Sequence, residues 1–207
     1  MKKAVSAIAA VLMLIVLSAC TNSSSPATET KEAPAPGSSA VIITFDYQAQ
    51  SGHASNQFAV WVESTDGNLV KTLYATRFTA NGGYKNRPDS ISLWVDKSGL
   101  SSMAKSQVDV ITGATPKTGA LTYTWDLTNT NGNQIPPGEY TVFVEGSLRW
   151  KNYVLFSAKI LVGDNPATVP AYAEYFYEAA QGQAALTNDS SENAMIENVT
   201  VQFIPAA

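Results

Sequence analysis

Asp109-Val110-Ile111-Thr112-Gly113-Ala114-Thr115 carries the residue types most open to chemistry in this chain. It runs from a carboxylate through two aliphatic spacers to a hydroxyl, two minimal side chains and a second hydroxyl. Thr115 offers that hydroxyl, and Gly113 and Ala114 leave the backbone beside it open to close approach by another molecule. A Gly-containing turn before a strand needs the same letters, and that alternative stays open. Other candidate sites are thinner. Asp46, Glu63, Asp89 and Glu145 could serve glycoside hydrolysis if two of them converged, but no spacing singles out a pair. His53, the only histidine, lacks the partners of a triad or zinc site and reads as an exposed loop residue. The Asn129-Thr130-Asn131-Gly132 run fails as a calcium loop, with Leu127 at the first ligand position and Gly138 at the twelfth. It reads as a hairpin turn.

The N-terminus speaks to compartment. Lys2 and Lys3 precede an apolar stretch at residues 4–17, too short to span a bilayer, so residues 1–19 read as a signal peptide. Leu17-Ser18-Ala19-Cys20 resembles the bacterial lipoprotein cleavage box, which implies a lipidated Cys20 as the mature N-terminus and anchorage to a lipid bilayer. Cys20 is the single cysteine, leaving no internal disulfide and no thiol nucleophile. Acyl chains hold a protein on a membrane with about 0.8 kcal/mol per buried methylene. Residues 21–39 are rich in Ser, Thr, Pro, Ala and Glu and cannot bury enough surface to order themselves. Residues 20–39 therefore form a lipidated tether with a reach of about 60 Å.

Residues 40–207 are long enough for one domain with a sizeable core. The formal charge is −4, and Lys2 and Lys3 fall in the leader, so the mature chain is more acidic still. No basic cluster follows, which argues against nucleic acid as a partner. The periodicity is that of an all-β protein. Val41, Ile43, Phe45 and Tyr47 alternate on one face; Phe58, Val60 and Val62 do the same, with Ala59, Trp61 and Glu63 opposite. Asp66-Gly67 turns this strand into a hairpin with residues 69–74, and residues 121–125, 140–145, 154–162 and 196–204 alternate again. Several short strands with these turns predict a two-sheet β-sandwich with one or two short helices. Asp89 or Ser90 is expected to cap one helix, with Ile91, Trp94 and Val95 packing inward, and residues 172–181 could form another. Of the four tryptophans, Trp150 in its polar run is expected to be the most exposed.

Residues 109–115 resemble the acceptor motif of extracytoplasmic flavin transferases. That resemblance implies that an FMN unit from FAD is joined through its phosphate to Thr115, with Asp109, Thr112, Gly113 and Ala114 completing the recognition motif. Pro116 restricts Thr115 to extended conformations, as either an exposed acceptor or an ordinary turn would use. Arg77 and Arg87, around Gly82-Gly83-Tyr84, could then contact a flavin phosphate or stack beside its ring, with Tyr84 assisting. Their alternative is local pairing with an acid while the stems cover apolar surface. Trp125-Asp126, Gly132, Pro136-Pro137-Gly138-Glu139-Tyr140-Thr141 and Glu145 resemble the immunoglobulin-like sandwich of flagellar hook-capping proteins, implying a hairpin set by the Gly and Pro-Gly turns and a core anchored by Trp125 and Tyr140. Asp66-Gly67, Leu69 to Leu73, Thr76-Arg77-Phe78, Gly82-Gly83, Arg87-Pro88 and Trp94, with Thr112 to Thr115, resemble an uncharacterised family of predicted periplasmic proteins. That resemblance implies a membrane-linked redox setting beside flavin transferases and PepSY-type membrane proteins. The expectation is a lipid-anchored, extracytoplasmic electron carrier rather than an enzyme. The alternative is a flavin-free binding or structural module.

Overall fold

The computed structural model describes residues 30–31, 37–51 and 56–206; the leader, Cys20 and His53 lie outside them. Alternation of apolar and polar residues gives each strand one face for a core. The strands are β1 (Thr30–Lys31), β2 (Ala40–Tyr47), β3 (Gln57–Ser64), β4 (Leu69–Thr76), β5 (Thr112–Gly113) and β6 (Gly119–Trp125). They continue with β7 (Gly138–Arg149), β8 (Asn152–Val162), β9 (Ala167–Pro170), β10 (Tyr172–Phe176) and β11 (Ile196–Ile204). Two sheets result, ordered β1-β6-β2-β11-β9 and β10-β8-β7-β3-β4-β5. Their inner faces meet in a core where Val41, Ile43 and Phe45 oppose Phe58, Val60 and Val142. This is the expected all-β two-sheet sandwich. Within it Phe58, Tyr74 and Tyr123 form a tight aromatic group, with Tyr74 centred 5.0 Å from each of the other two rings.

Strand β3 is buried on both faces, Ala59 and Trp61 as fully as Phe58 and Val60. Its continuous Phe-Ala-Val-Trp-Val run is what a strand packed on two sides requires. The second cover is a layer of three short helices, α1 (Arg77–Ala80), α2 (Ser92–Ser98) and α3 (Lys105–Ile111). They roof the outer side of β3 and β4 and enclose a second core that includes Trp61, Ala75, Ile91, Trp94 and Val108. Hydroxyls and an amide fasten this roof. Gln57 Oε1 accepts from the Thr76 hydroxyl at 2.7 Å and the Thr79 hydroxyl at 3.2 Å. Thr79 in turn bonds Ser90 at 2.8 Å, and the Ile91 N–H donates to Ser147 Oγ at 2.9 Å.

Three expectations change. Neither Asp89 nor Ser90 caps α2: Ile91 takes the N-cap position with φ 43°, and the Glu145 carboxylate on β7 accepts from the N–H groups of Leu93 and Trp94 at 3.2 and 2.8 Å. An acceptor from the sheet thus replaces a local cap, and Ser90 is left to bond Thr79. Residues 172–181 are not helical, because β10 pairs antiparallel with β8 and Phe176 stacks on Tyr153 at 4.3 Å. There are three short helices rather than one or two, and both α1 and α3 are additional, α3 taking in Asp109 to Ile111. β6 lies in one sheet and β7 in the other, so residues 126–137 cross between sheets; a small hairpin forms within the crossing, where Thr128 pairs antiparallel with Gln134, and Trp125 and Tyr140 are buried in the core. The two rings still anchor that corner edge to face, 5.2 Å apart. Pro136 and Pro137, which lack N–H donors, suit a crossing better than a ladder. Trp150 is half-buried, while Trp61, Trp94 and Trp125 are buried, as expected.

Candidate functional site

The seven-residue motif spans a helix end, a sheet edge and an open loop. Asp109, Val110 and Ile111 form the last turn of α3, with both Asp109 carboxylate oxygens 2.8 Å from Lys105 Nζ on the exposed helix face. Thr112 and Gly113 then add a short parallel strand to β4, opposite Ala75 and Thr76. Ala114 and Thr115 are exposed, Pro116 is buried and Lys117 is exposed again. Thr115 therefore stands out between two anchored points.

The first anchor is Tyr74. Its hydroxyl donates to the Ala114 carbonyl at 2.6 Å, and its ring lies so close to Gly113 that a Cβ there would come within 2.6 Å of Cε2. Gly113 is thus required by the packing of a neighbouring ring, whatever else approaches it. The second anchor is Thr118, whose Oγ1 accepts from the Ala49 N–H at 3.0 Å. Together with buried Pro116 it holds the far side of the loop.

Arg77 is brought to this site. It follows Thr76, the register partner of Gly113, so it leaves β4 beside the point where Ala114 leaves β5. Lys117 lies two residues past Thr115. Lys71, Lys97, Lys105, Arg149, Lys151 and Lys159 each pair with a carboxylate, whereas Arg77 and Lys117 make no ion pair among the described residues. Arg87 stays with the segment beside α1: its N–H donates to the Gly83 carbonyl at 2.9 Å, and Ser90, three residues on, bonds Thr79 of α1. Burial lowers the Arg87 pKa, and the nearby Asp89 carboxylate opposes that shift. Tyr84 is half-buried against the second core and packs there.

Asp46 and Glu63 stand apart from Glu145. Asp46 sits on the outer face of the other sheet, bonded to Asn198 at 2.7 Å. Glu63 lies four residues along β3 from Ala59, the partner of Glu145, which puts the backbones of the two acids about 13 Å apart along the strands. The 129–133 segment forms an Asx turn, with Asn129 Oδ1 accepting from the N–H groups of Asn131 and Asn133 at 2.9 and 3.1 Å. No cluster of three or more His, Cys, Asp or Glu among the described residues could hold a metal ion. A groove of about 820 Å³ runs between β4, α3 and the 126–130 loop, lined by Leu69, Lys71, Leu73, Val110, Ile111 and Leu127. Thr115 lies outside it. Sequence reasoning missed Tyr74 and Thr118, since neither is near a candidate site by type; only the alternation of β4 could have pointed Tyr74 inward.

The fold is a two-sheet sandwich roofed by short helices, with Thr115 exposed on a loop fastened on both sides. The chain belongs to the family described as Predicted periplasmic protein (DUF2271), whose model matches residues 39–178. Its place is therefore extracytoplasmic, as the leader implied. No helix among the described residues is long and apolar enough to cross a membrane. No curated protein and no solved structure matches the chain.

Proposed function

We propose that this chain is a lipid-anchored extracytoplasmic carrier that holds FMN covalently on Thr115 and exchanges electrons with a membrane redox partner, PepSY-type proteins being the class the sequence resemblance implies. The observation that carries the reading is the exposure of Thr115 on a loop anchored on both sides, within a segment that resembles a flavin-transferase acceptor motif. Once attached, FMN supplies the redox chemistry. The chain's own contribution is placement and charge. Arg77 and Lys117 supply positive charge near Thr115, where a phosphodiester needs it, with Arg87 and Tyr84 in the segment packed beside α1. Cys20, lipidated, would tie the domain to the bilayer.

Co-expression with a flavin transferase followed by denaturing gel electrophoresis tests the reading. Wild type is expected to fluoresce as a covalent flavoprotein and Thr115→Ala to show none. A wild-type chain without covalent flavin would remove the carrier reading, and fluorescence surviving in Thr115→Ala would move the attachment site. The mixed apolar and polar groove beside α3 supports a second reading, a flavin-free binding module, which the same gel would favour if wild type stayed dark.

A further inference from the structure

Tyr74 and Thr118 hold the two ends of the Thr115 loop, and neither belongs to the recognised motif. We propose that Tyr74 is a positioning residue for modification of Thr115, so that the modifying enzyme reads residues 112–118 as a folded loop and not as a passing peptide. This rests on the flavin reading above. Three observations support it. The Tyr74 hydroxyl is 2.6 Å from the Ala114 carbonyl, fixing the peptide that leads into the acceptor. Gly113 accommodates the Tyr74 ring, so ring and loop are fitted to one another. Beyond the acceptor, Pro116 is buried and Thr118 takes the Ala49 N–H at 3.0 Å, leaving only exposed residues around Thr115 for a partner to meet.

In the step itself Thr115 Oγ1 attacks the phosphorus of the FMN half of FAD. The Oγ1–P bond forms, the pyrophosphate P–O bond breaks, AMP leaves, and the hydroxyl proton passes to a base of the transferase; no electrons are exchanged. Such an in-line attack needs the oxygen held at about 3–3.5 Å in one orientation. A loop already ordered loses little further conformational entropy when it docks. Tyr74 itself is buried to 6 % exposure, so it acts through the backbone it holds and not by touching the donor.

The test compares full-length wild type, Tyr74→Phe and Thr118→Val as acceptors for the transferase, reading flavin incorporation and melting temperature together. Tyr74→Phe keeps the ring against Gly113 and removes the hydrogen bond. Its kcat is expected to fall about fivefold, the factor that about 1 kcal/mol of lost hydrogen bonding produces, with KM and melting temperature close to wild type. Thr118→Val is expected to act in the same direction from the other side of the loop, and it decides alone should Tyr74→Phe melt early. Wild-type kcat in folded variants, or a loss confined to KM, overturns the proposal while leaving the flavin reading intact. A wild-type chain that takes no flavin takes both down.

Discussion

Trp94→Ala is expected to lower the melting temperature by about 10 °C and to open residues 77–111 to protease while the sandwich stays resistant. Trp94 is 0 % exposed and sits in the core under the helical layer, where its Nε1 donates to Thr72 Oγ1 at 3.1 Å. Removing a buried tryptophan costs about 3–5 kcal/mol through lost transfer energy and the cavity left behind. For a domain of this size each kcal/mol is about 2–4 °C. The second core is small and separate from the one between the sheets, so the loss falls on one cooperative unit. Because α3 leads directly into β5, a loosened roof also frees the start of the Thr115 loop, and flavin incorporation should fall with it. Limited proteolysis with mass analysis reads the first effect. Cleavage spread evenly over the whole domain would show that roof and sandwich unfold together and refute the separation.

Much of the sandwich was legible because one-sided strands announce themselves. Val41, Ile43, Phe45 and Tyr47 could only face a core together, and Ile196–Ile204 was read to its ends. Two-sided burial of β3 was not read: Ala59 and Trp61 stood opposite Phe58 and Val60 in the alternation, and the third layer that covers them is made of short helices that leave little periodic trace. Residues 172–176 show the reverse failure. Their alanine and glutamate suit a helix, and pairing with β8, which the two tyrosines and Phe176 favour, overrides that local preference. The candidate site was legible as seven letters and one hydroxyl. What holds that hydroxyl out was not, because Tyr74 and Thr118 meet the loop through tertiary contacts 40 residues away in one case and across a sheet end in the other.

Raising the pH from about 5 to about 8 is expected to destabilise the wild-type protein by a component that Glu145→Gln abolishes. Glu145 is 0 % exposed beneath α2, and burial raises its pKa from 4.5 to about 7. The N–H groups of Trp94 and Leu93 pull the other way without prevailing, and Asp96 adds repulsion. A carboxyl whose folded pKa lies above its unfolded one binds its proton more tightly in the folded state. Its stabilising contribution is therefore complete below about 4.5 and is lost as the pH rises through about 7. Between those values the slope is about 1.4 kcal/mol per pH unit. Glutamine keeps an oxygen for one of the two N–H donors and carries no charge to bury, so its melting temperature should stay flat across the window and exceed wild type at pH 8. The difference between the two proteins isolates Glu145 from the general acidity of the chain. Hydrogen exchange at Leu93 and Trp94 locates the effect, since these amides should open faster at pH 8 in wild type only. Parallel pH profiles for the two proteins would mean that two N–H bonds suffice to hold the buried charge. The consequence reaches the acceptor loop, because α2 and α3 belong to the same roof and β5 hangs from its end: a domain outside the cytoplasm, exposed to the pH of its surroundings, would present Thr115 most firmly on the acid side of neutrality.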